Sequence, residues 1–187
     1  MLRKRLFTIS VSILAKLILI TYPAFSQSGN IANKSISAGN DSDDYLPSWY
    51  AGASNYNLFI AVAAENVSDI EKLIKEGADV NTYNTEGVTP LILAAVFNKP
   101  ESVKTLLKYS PKLDEVTMNF ETALSIAVKY NLDSIAEPLI RAGADIDFAD
   151  NHGASPLHYA ALYGYIGLTD MLLYYDASID SKSDEGF

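Results

Sequence analysis

The chain has 187 residues, of which 49% are apolar, with 14 basic and 23 acidic residues and no cysteine. This length and composition fit one folded domain with appendages, and they exclude wholesale disorder and collagen-like structure. The absence of cysteine excludes disulfides, cysteine-bound metal centres and thiol catalysis, and the net charge of −9 argues against binding nucleic acid through a basic surface.

Residues 1–26 have the three parts of a secretory signal peptide. A basic start at residues 3–5 precedes an apolar run over residues 6–20, and the small residues Ala24 and Ser26 precede the predicted cut after Ser26. The apolar run is shorter than the about 20 residues that span a bilayer and is interrupted by Lys16. A retained membrane anchor is therefore the less favoured alternative.

Cleavage after Ser26 predicts an exported protein, in a bacterial periplasm or secreted, without membrane attachment. It removes four basic residues and no acidic one, which leaves 10 basic and 23 acidic residues and a net charge of −13. Such a surface disfavours nucleic acid and anionic lipid and favours a basic protein partner. An exported protein without cysteine is typical of a bacterial envelope.

Residues 27–55 are predicted to be a flexible linker that ends in an N-terminal cap. Ser, Asn, Gly, Ala and Asp dominate residues 27–44. The acidic cluster at residues 41–44, which includes Ser42, has no glycine or terminal glutamate at the offsets of an EF-type calcium loop, so a solvated linker is the favoured interpretation. The larger side chains predicted to fold over the first repeat are Tyr45, Leu46, Trp49, Tyr50 and Tyr56.

From residue 56 the sequence repeats with a period of about 33 residues. Five series of positions keep one register over four units, which indicates a real internal repeat. The series are Leu58, Leu91, Leu124 and Leu157; Ala61, Ala94, Ala127 and Ala160; Leu73, Leu106, Leu139 and Leu172; Val80, Leu113, Ile146 and Ile179; and Asn81, Asp114, Asp147 and Asp180. The predicted units are about 56–84, 85–118, 119–150 and 151–183, and residues 184–187 match the start of a fifth.

Each unit carries start and stop signals for two helices. Thr89 and Ser155 are predicted N-caps, because each precedes a proline that suits the first helical position. Asn98, Asn131 and Gly164 are predicted to separate the two helices, and Gly77 and Gly143 to supply the left-handed residue after the second.

Three departures from this pattern are expected to disturb the structure. Ser110 and Asp176 replace the glycine after the second helix, which predicts reshaped loops. Pro138 lies inside the second helix of the third unit, where it is expected to remove a hydrogen bond and to kink or delay the helix. The third unit is therefore predicted to be the softest.

These residues resemble the ankyrin repeat, which is a helix–turn–helix with a hairpin-like loop and has the same period. The matching stretches are residues 77–81, 87–91, 143–147 and 155–158. The resemblance implies an all-α ankyrin solenoid over residues 56–187. It also implies a protein-binding scaffold, of a kind that some bacteria export, and places His158 where the family uses an imidazole to bond neighbouring loops.

The sequence contains no recognisable catalytic or cofactor motif, neither a nucleophile elbow nor a phosphate-binding loop. His152 is predicted to be solvated at a loop tip. Asp145, Asp147 and Asp150 lie close in sequence, but the first two belong to the loop motif of the repeat, so a metal site is disfavoured. We therefore predict no enzyme activity, no cofactor and no metal; an enzyme with an unrecognised carboxylate or metal site is a third hypothesis.

An aromatic stripe is the candidate partner-binding surface. Phe97, Tyr130 and Tyr163 are spaced by one repeat period and end the first helix in three units. Aromatic rings supply large contact areas at low entropic cost and are enriched in binding hot spots. The stripe is predicted to extend to Tyr165, Tyr83 and Phe148. The alternative is that the rings pack between repeats and stiffen the stack.

The sequence also predicts the charge of the partner and an open end of the stack. Glu86 and Glu185 at the loop tips are predicted to steer a basic partner. The fourth unit looks uncapped, so a partner or a second copy of the chain is expected to cover its edge. The competing hypothesis is a truncated or degenerate repeat protein with no dedicated partner.

Overall fold

A computed structural model describes residues 53–181, which form eight α-helices and no β-strand. The helices are α1 (Ala53–Ala63), α2 (Val67–Lys75), α3 (Pro90–Val96), α4 (Pro100–Leu107), α5 (Ala123–Lys129), α6 (Asp133–Arg141), α7 (Pro156–Tyr163) and α8 (Ile166–Tyr174). The predicted all-α repeat architecture is confirmed, and α1 begins at Ala53, slightly before the predicted start at residue 56. The predicted signal peptide, most of the predicted linker and residues 182–187 lie outside the described residues.

The helices form four pairs that stack in two rows. The first helices (α1, α3, α5 and α7) contact one another in chain order, and so do the second helices (α2, α4, α6 and α8). Leu58, Leu91 and Leu124 of the first row are at most 1% exposed, and each such burial contributes about 1.5–3 kcal/mol. The alanines of the second series lie buried beside them, and their small side chains let neighbouring first helices approach closely.

Polar side chains cap α3, α5 and α7, and two of these caps, Thr89 and Ser155, were predicted from the sequence. Thr89 Oγ1 accepts the backbone N–H of Ile92 at 3.2 Å, and Thr122 caps α5 in the same way. Ser155 caps α7, where its backbone N–H donates to His158 Nδ1 at 3.1 Å. His158 therefore has a structural role at the start of its own helix.

The turns between helices use residues with positive φ. The predicted turn residues Asn98, Asn131 and Gly164 have φ of 52°, 58° and 67°. Ser110 and Asp176 also have positive φ, 49° and 63°, although each carries a Cβ that disfavours this region. The expectation of a reshaped loop is wrong in this respect, because both residues keep the left-handed turn that glycine supplies in the other repeats.

Pro138 does not interrupt its helix. α6 runs from Asp133 to Arg141 with Pro138 inside, so the expected delay of the helix is wrong. Proline lacks the N–H that would bond the carbonyl four residues earlier. Ile135 and Leu139 on the same helix are fully buried, and this packing holds the helical conformation despite the lost hydrogen bond.

Candidate partner-binding surface

Each loop before a first helix is closed by one polar side chain. Asn84, Thr117 and Asp150 lie one repeat period apart, and each accepts the backbone N–H groups two and four residues later. The distances are 2.9–3.3 Å. These bonds fix the loop tips locally. This role was not predicted from the sequence, although the polar residues at the repeat spacing were a usable signal.

A buried lysine ends α5 at a position where the preceding repeat has Val96. Lys129 Nζ lies 3.0 Å from Oε1 of Glu121 and 3.5 Å from Oδ2 of Asp150. It also lies 4.1 Å from the ring centre of Tyr159, within the range of a cation–π interaction. We call Lys129, Glu121, Asp150 and Tyr159 the Lys129 cluster.

The Lys129 cluster keeps Asp150 ionised although the carboxylate is buried. Burial by itself would raise the pKa of Asp150. The hydrogen bond from the Tyr159 hydroxyl, two backbone N–H groups and the charge of Lys129 outweigh burial and hold this pKa below its ordinary value. Conversely, burial and the bond to Asp150 raise the pKa of Tyr159, which keeps the phenol protonated.

The Lys129 cluster joins two repeats. Glu121 and Lys129 belong to the third helix pair and the residues just before it, whereas Asp150 lies in the following loop and Tyr159 on α7. Buried ion pairs add little net stability, because desolvation offsets their attraction, but their geometry is demanding. The cluster therefore links α7 to α5 through side-chain contacts.

Tyr159 of the Lys129 cluster also belongs to a row of three tyrosine rings on and just after α7. The rings of Tyr159 and Tyr163 are 6.2 Å apart and stacked, and those of Tyr163 and Tyr165 are 5.6 Å apart and tilted. The Tyr165 hydroxyl is 3.5 Å from the carbonyl oxygen of Lys129. We call Tyr159, Tyr163 and Tyr165 the tyrosine group; Tyr159 contacts Lys129 and Asp150 directly, and the other two rings are joined to it through ring contacts.

Tyr130 lies next to the tyrosine group, directly after α5. Burial raises the pKa of Tyr130 to about 12, with smaller contributions from the nearby Glu121 and Tyr163. The side chain is half-buried, like those of Tyr163 and Tyr165. The structure thus brings together three of the six residues predicted to bind a partner.

The other three predicted residues lie at separate places in the stack. Phe97 is half-buried at the end of α3, Phe148 is half-buried in the loop after α6, and Tyr83 is 65% exposed in the loop after α2. Tyr159 was not predicted from the sequence. Its position is occupied by the buried Ile126 one repeat earlier, so its spacing indicated a core residue.

Two further apolar side chains at the third loop tip were not predicted to bind. Met118 is 73% exposed and Phe120 is 53% exposed. Phe120 has a φ of 58° at a position where the neighbouring repeats have Gly87 and Gly153. The sequence contained a signal for this exposed residue, because a phenylalanine replaces the glycine found at this position in the neighbouring repeats. The structure shows that the side chain is not buried.

The acidic residues of the loops bond to the backbone. Asp145 Oδ1 accepts the N–H of Asp147, and Asp147 Oδ1 accepts the N–H of Ser178. In residues 53–181, no group of three or more histidine, aspartate or glutamate side chains is placed to hold a metal ion. His152 is exposed at its loop tip. Among the helices of this same range, none has the length and apolar character needed to cross a membrane.

A family model described as ankyrin repeats, in three copies, matches residues 58–150 and 115–183. The chain belongs to the ankyrin-repeat family. Ankyrin repeats are protein–protein interaction modules, and the family is typically without catalytic activity.

The proteins that are similar to this chain are of several different types. A protein of fowlpox virus named as a putative ankyrin repeat protein is 30% identical over 135 residues, covering 70% of this chain and 40% of the relative. The human transient receptor potential cation channel subfamily A member 1 is 33% identical, over 60% of this chain and 10% of the channel. A glycerophosphocholine phosphodiesterase of Schizosaccharomyces pombe is 33% identical, over 55% of this chain and 9% of that protein. The chain thus spans 40% or less of the length of each relative.

Proposed function

We propose that this chain is an exported ankyrin-repeat protein that binds another protein, without catalysis, through the concave face of its first helices and its loop tips. The observation that carries the proposal is the tyrosine group, whose rings contact one another and the Lys129 cluster. Rigid aromatic side chains lose little entropy on binding and form typical anchors of protein interfaces. Export rests on the signal-peptide pattern of residues 1–26.

A basic partner segment fits the charge of this surface. Residues 142–181 contain six aspartates and neither lysine nor arginine. A surface with one sign of charge accelerates the encounter with an oppositely charged partner. The bound segment is therefore expected to carry lysine or arginine next to an apolar side chain that contacts the tyrosine group.

The test combines partner capture with measured affinity. Residues 27–187 are immobilised, the retained partner is identified by mass spectrometry, and its affinity is measured by calorimetry for the wild type, Tyr130→Ala and Tyr163→Ala. We expect each substitution to weaken binding about tenfold or more, with the melting temperature nearly unchanged. Tyr174→Ala is the matched control, because Tyr174 is 80% exposed at the end of α8.

Two outcomes would contradict the proposal. Unchanged affinity together with a large fall in melting temperature would show that the rings pack between repeats and do not bind. Capture of no specific partner by the wild type would favour the competing hypothesis of a degenerate repeat protein.

A further inference from the structure

The loop before α5 holds a phenylalanine in a strained backbone conformation. Phe120 is the one aromatic residue of residues 53–181 with a positive φ, 58°, a region that disfavours side chains with a Cβ. Its side chain is 53% exposed, so burial does not compensate for the strain. Strain of this kind is concentrated at functional sites, because folding alone gives no reason to keep it.

Phe120 lies beside a second exposed apolar side chain and an acidic residue of the preceding loop. Met118 is 73% exposed, and its backbone N–H donates to the carbonyl oxygen of Glu86 at 3.0 Å. The N–H of Phe120 donates to the carbonyl oxygen of Thr117 at 2.9 Å, which keeps Phe120 and Met118 on one tight turn. These bonds bring the loops before α3 and α5 together. We call Glu86, Met118 and Phe120 the Phe120 site.

The carboxylate of Glu86 has an unsatisfied oxygen. Its Oε2 atom is shielded from solvent and accepts no hydrogen bond within the part of the chain that the structure describes. Two lysines of the neighbouring segments are engaged by other acids. Lys112 pairs with Glu115 at 2.9 Å, and Lys129 pairs with Glu121 at 3.0 Å. A shielded carboxylate without a counter-charge is costly, so Glu86 favours the binding of a cation.

The segments around the Phe120 site carry charge of one sign. Residues 76–98 and 113–128, which include the two loops, contain three acidic residues each and neither lysine nor arginine. A surface of this charge attracts a basic group and repels an acidic one. The exposed apolar side chains add a contact for carbon atoms, so the expected ligand has a cationic end and an apolar stem.

We propose that the Phe120 site binds one arginine side chain of a partner protein. The guanidinium group stacks on the ring of Phe120 and donates to the carboxylate of Glu86, while the methylene groups lie along Met118. Arginine fits better than lysine, because a planar guanidinium group can stack on a ring and donate to a carboxylate at the same time. The proposal rests on the proposed function, since the arginine belongs to a protein partner, but its residues are separate from the tyrosine group.

The test measures the binding of three short peptides to the nitrogen-15-labelled chain by NMR. The peptides are acetyl-Ala-Leu-X-Leu-Ala-amide, where X is arginine, lysine or citrulline, which has the shape of arginine without its charge. We expect the arginine peptide to shift the amide signals of Glu86, Met118 and Phe120 with a dissociation constant of about 1 mM or below. The lysine and citrulline peptides should bind about fivefold more weakly or less.

Glu86→Gln tests the carboxylate with little change of shape. We expect it to weaken binding of the arginine peptide about tenfold, because the charge-assisted hydrogen bonds are lost. Glu115→Gln is the matched control. Glu115 lies in the loop before α5 and is paired with Lys112, so its substitution should change binding by less than about twofold. Equal effects of the two substitutions would show a general effect of charge and overturn the site.

Phe120→Gly separates binding from folding. Glycine adopts a positive φ without strain, so we expect the melting temperature to stay the same or to rise. The arginine peptide should nevertheless bind about fivefold more weakly, because the ring is lost. A clear fall in melting temperature would show that the ring stabilises the fold and would overturn the argument from strain.

Two further results would overturn the proposal. The first is the absence of a saturable shift at these three amides with about 10 mM arginine peptide. The second is equal binding of the citrulline or the lysine peptide. Tyr163→Ala keeps this test separate from that of the tyrosine group, because it should leave binding of the arginine peptide unchanged. A failure of the tyrosine group therefore differs from a failure of the Phe120 site.

Discussion

At the scale of single residues, Lys129 departs furthest from the repeat pattern. Its side chain is 5% exposed, yet it carries a charge that two carboxylates and one aromatic ring offset. The sequence showed only a lysine at an apolar position. The partners could not be read from the sequence, because Asp150 and Tyr159 lie beyond the whole of α6, in the following loop and on α7.

Lys129→Met should lower the free energy of unfolding by about 3 kcal/mol, measured by urea denaturation, because it leaves the buried Asp150 without its cation. The substitution keeps most of the length of the side chain. Lys104→Met is the control. Its ion pair with Glu101 is more than half exposed, so we expect a change of at most about 0.5 kcal/mol. Equal effects of the two substitutions would contradict the structural role of the Lys129 cluster.

At the scale of elements, local signals predicted most helix boundaries. The proline residues at positions 90, 100 and 156 each begin a helix, and the caps at Thr89 and Ser155 were identified from sequence. The effect of Pro138 on its helix was predicted wrongly. The penalty for proline in a helix can be estimated from the local sequence, whereas the packing that holds α6 together involves residues of other repeats. α6 also begins without a side-chain cap at Leu132, so its stability depends on its buried face.

Pro138→Ala should raise the free energy of unfolding by about 1–3 kcal/mol, measured by urea denaturation, because alanine restores the missing N–H and removes the clash of the ring with the preceding turn. Pro100→Ala is the matched control, because Pro100 lies at the first position of α4, where its N–H has no helical partner. It should leave stability unchanged or lower it slightly. A stabilisation by both substitutions to the same extent would contradict this account.

At the scale of the whole molecule, burial is uneven along the stack. Every residue of α5 is buried, whereas only Pro156 and Ala160 are buried in α7. Each repeat of a solenoid contacts only its neighbours, so a repeat whose outer face is exposed has fewer stabilising contacts. The sequence predicted the third repeat as the softest because of Pro138; the distribution of buried side chains favours the fourth.

Native-state hydrogen exchange distinguishes these two predictions. We expect amides of α7 and α8 to exchange through local opening at a lower free energy than those of α3 and α5. Mass spectrometry of peptides from each helix gives the order. Faster exchange in α5 and α6 than in α7 and α8 would instead support the prediction made from Pro138.

The sequence by itself determined the repeat, its period, the all-α class and most of the turns. These features depend on residues close together in the chain or on identical residues one repeat apart, such as Leu91 and Leu124. Only the tertiary structure decided which of the predicted aromatic residues meet. Tyr130, Tyr163 and Tyr165 lie in two stacked repeats that Lys129, Glu121, Asp150 and Tyr159 also connect, and such contacts between repeats depend on stacking that no local pattern encodes.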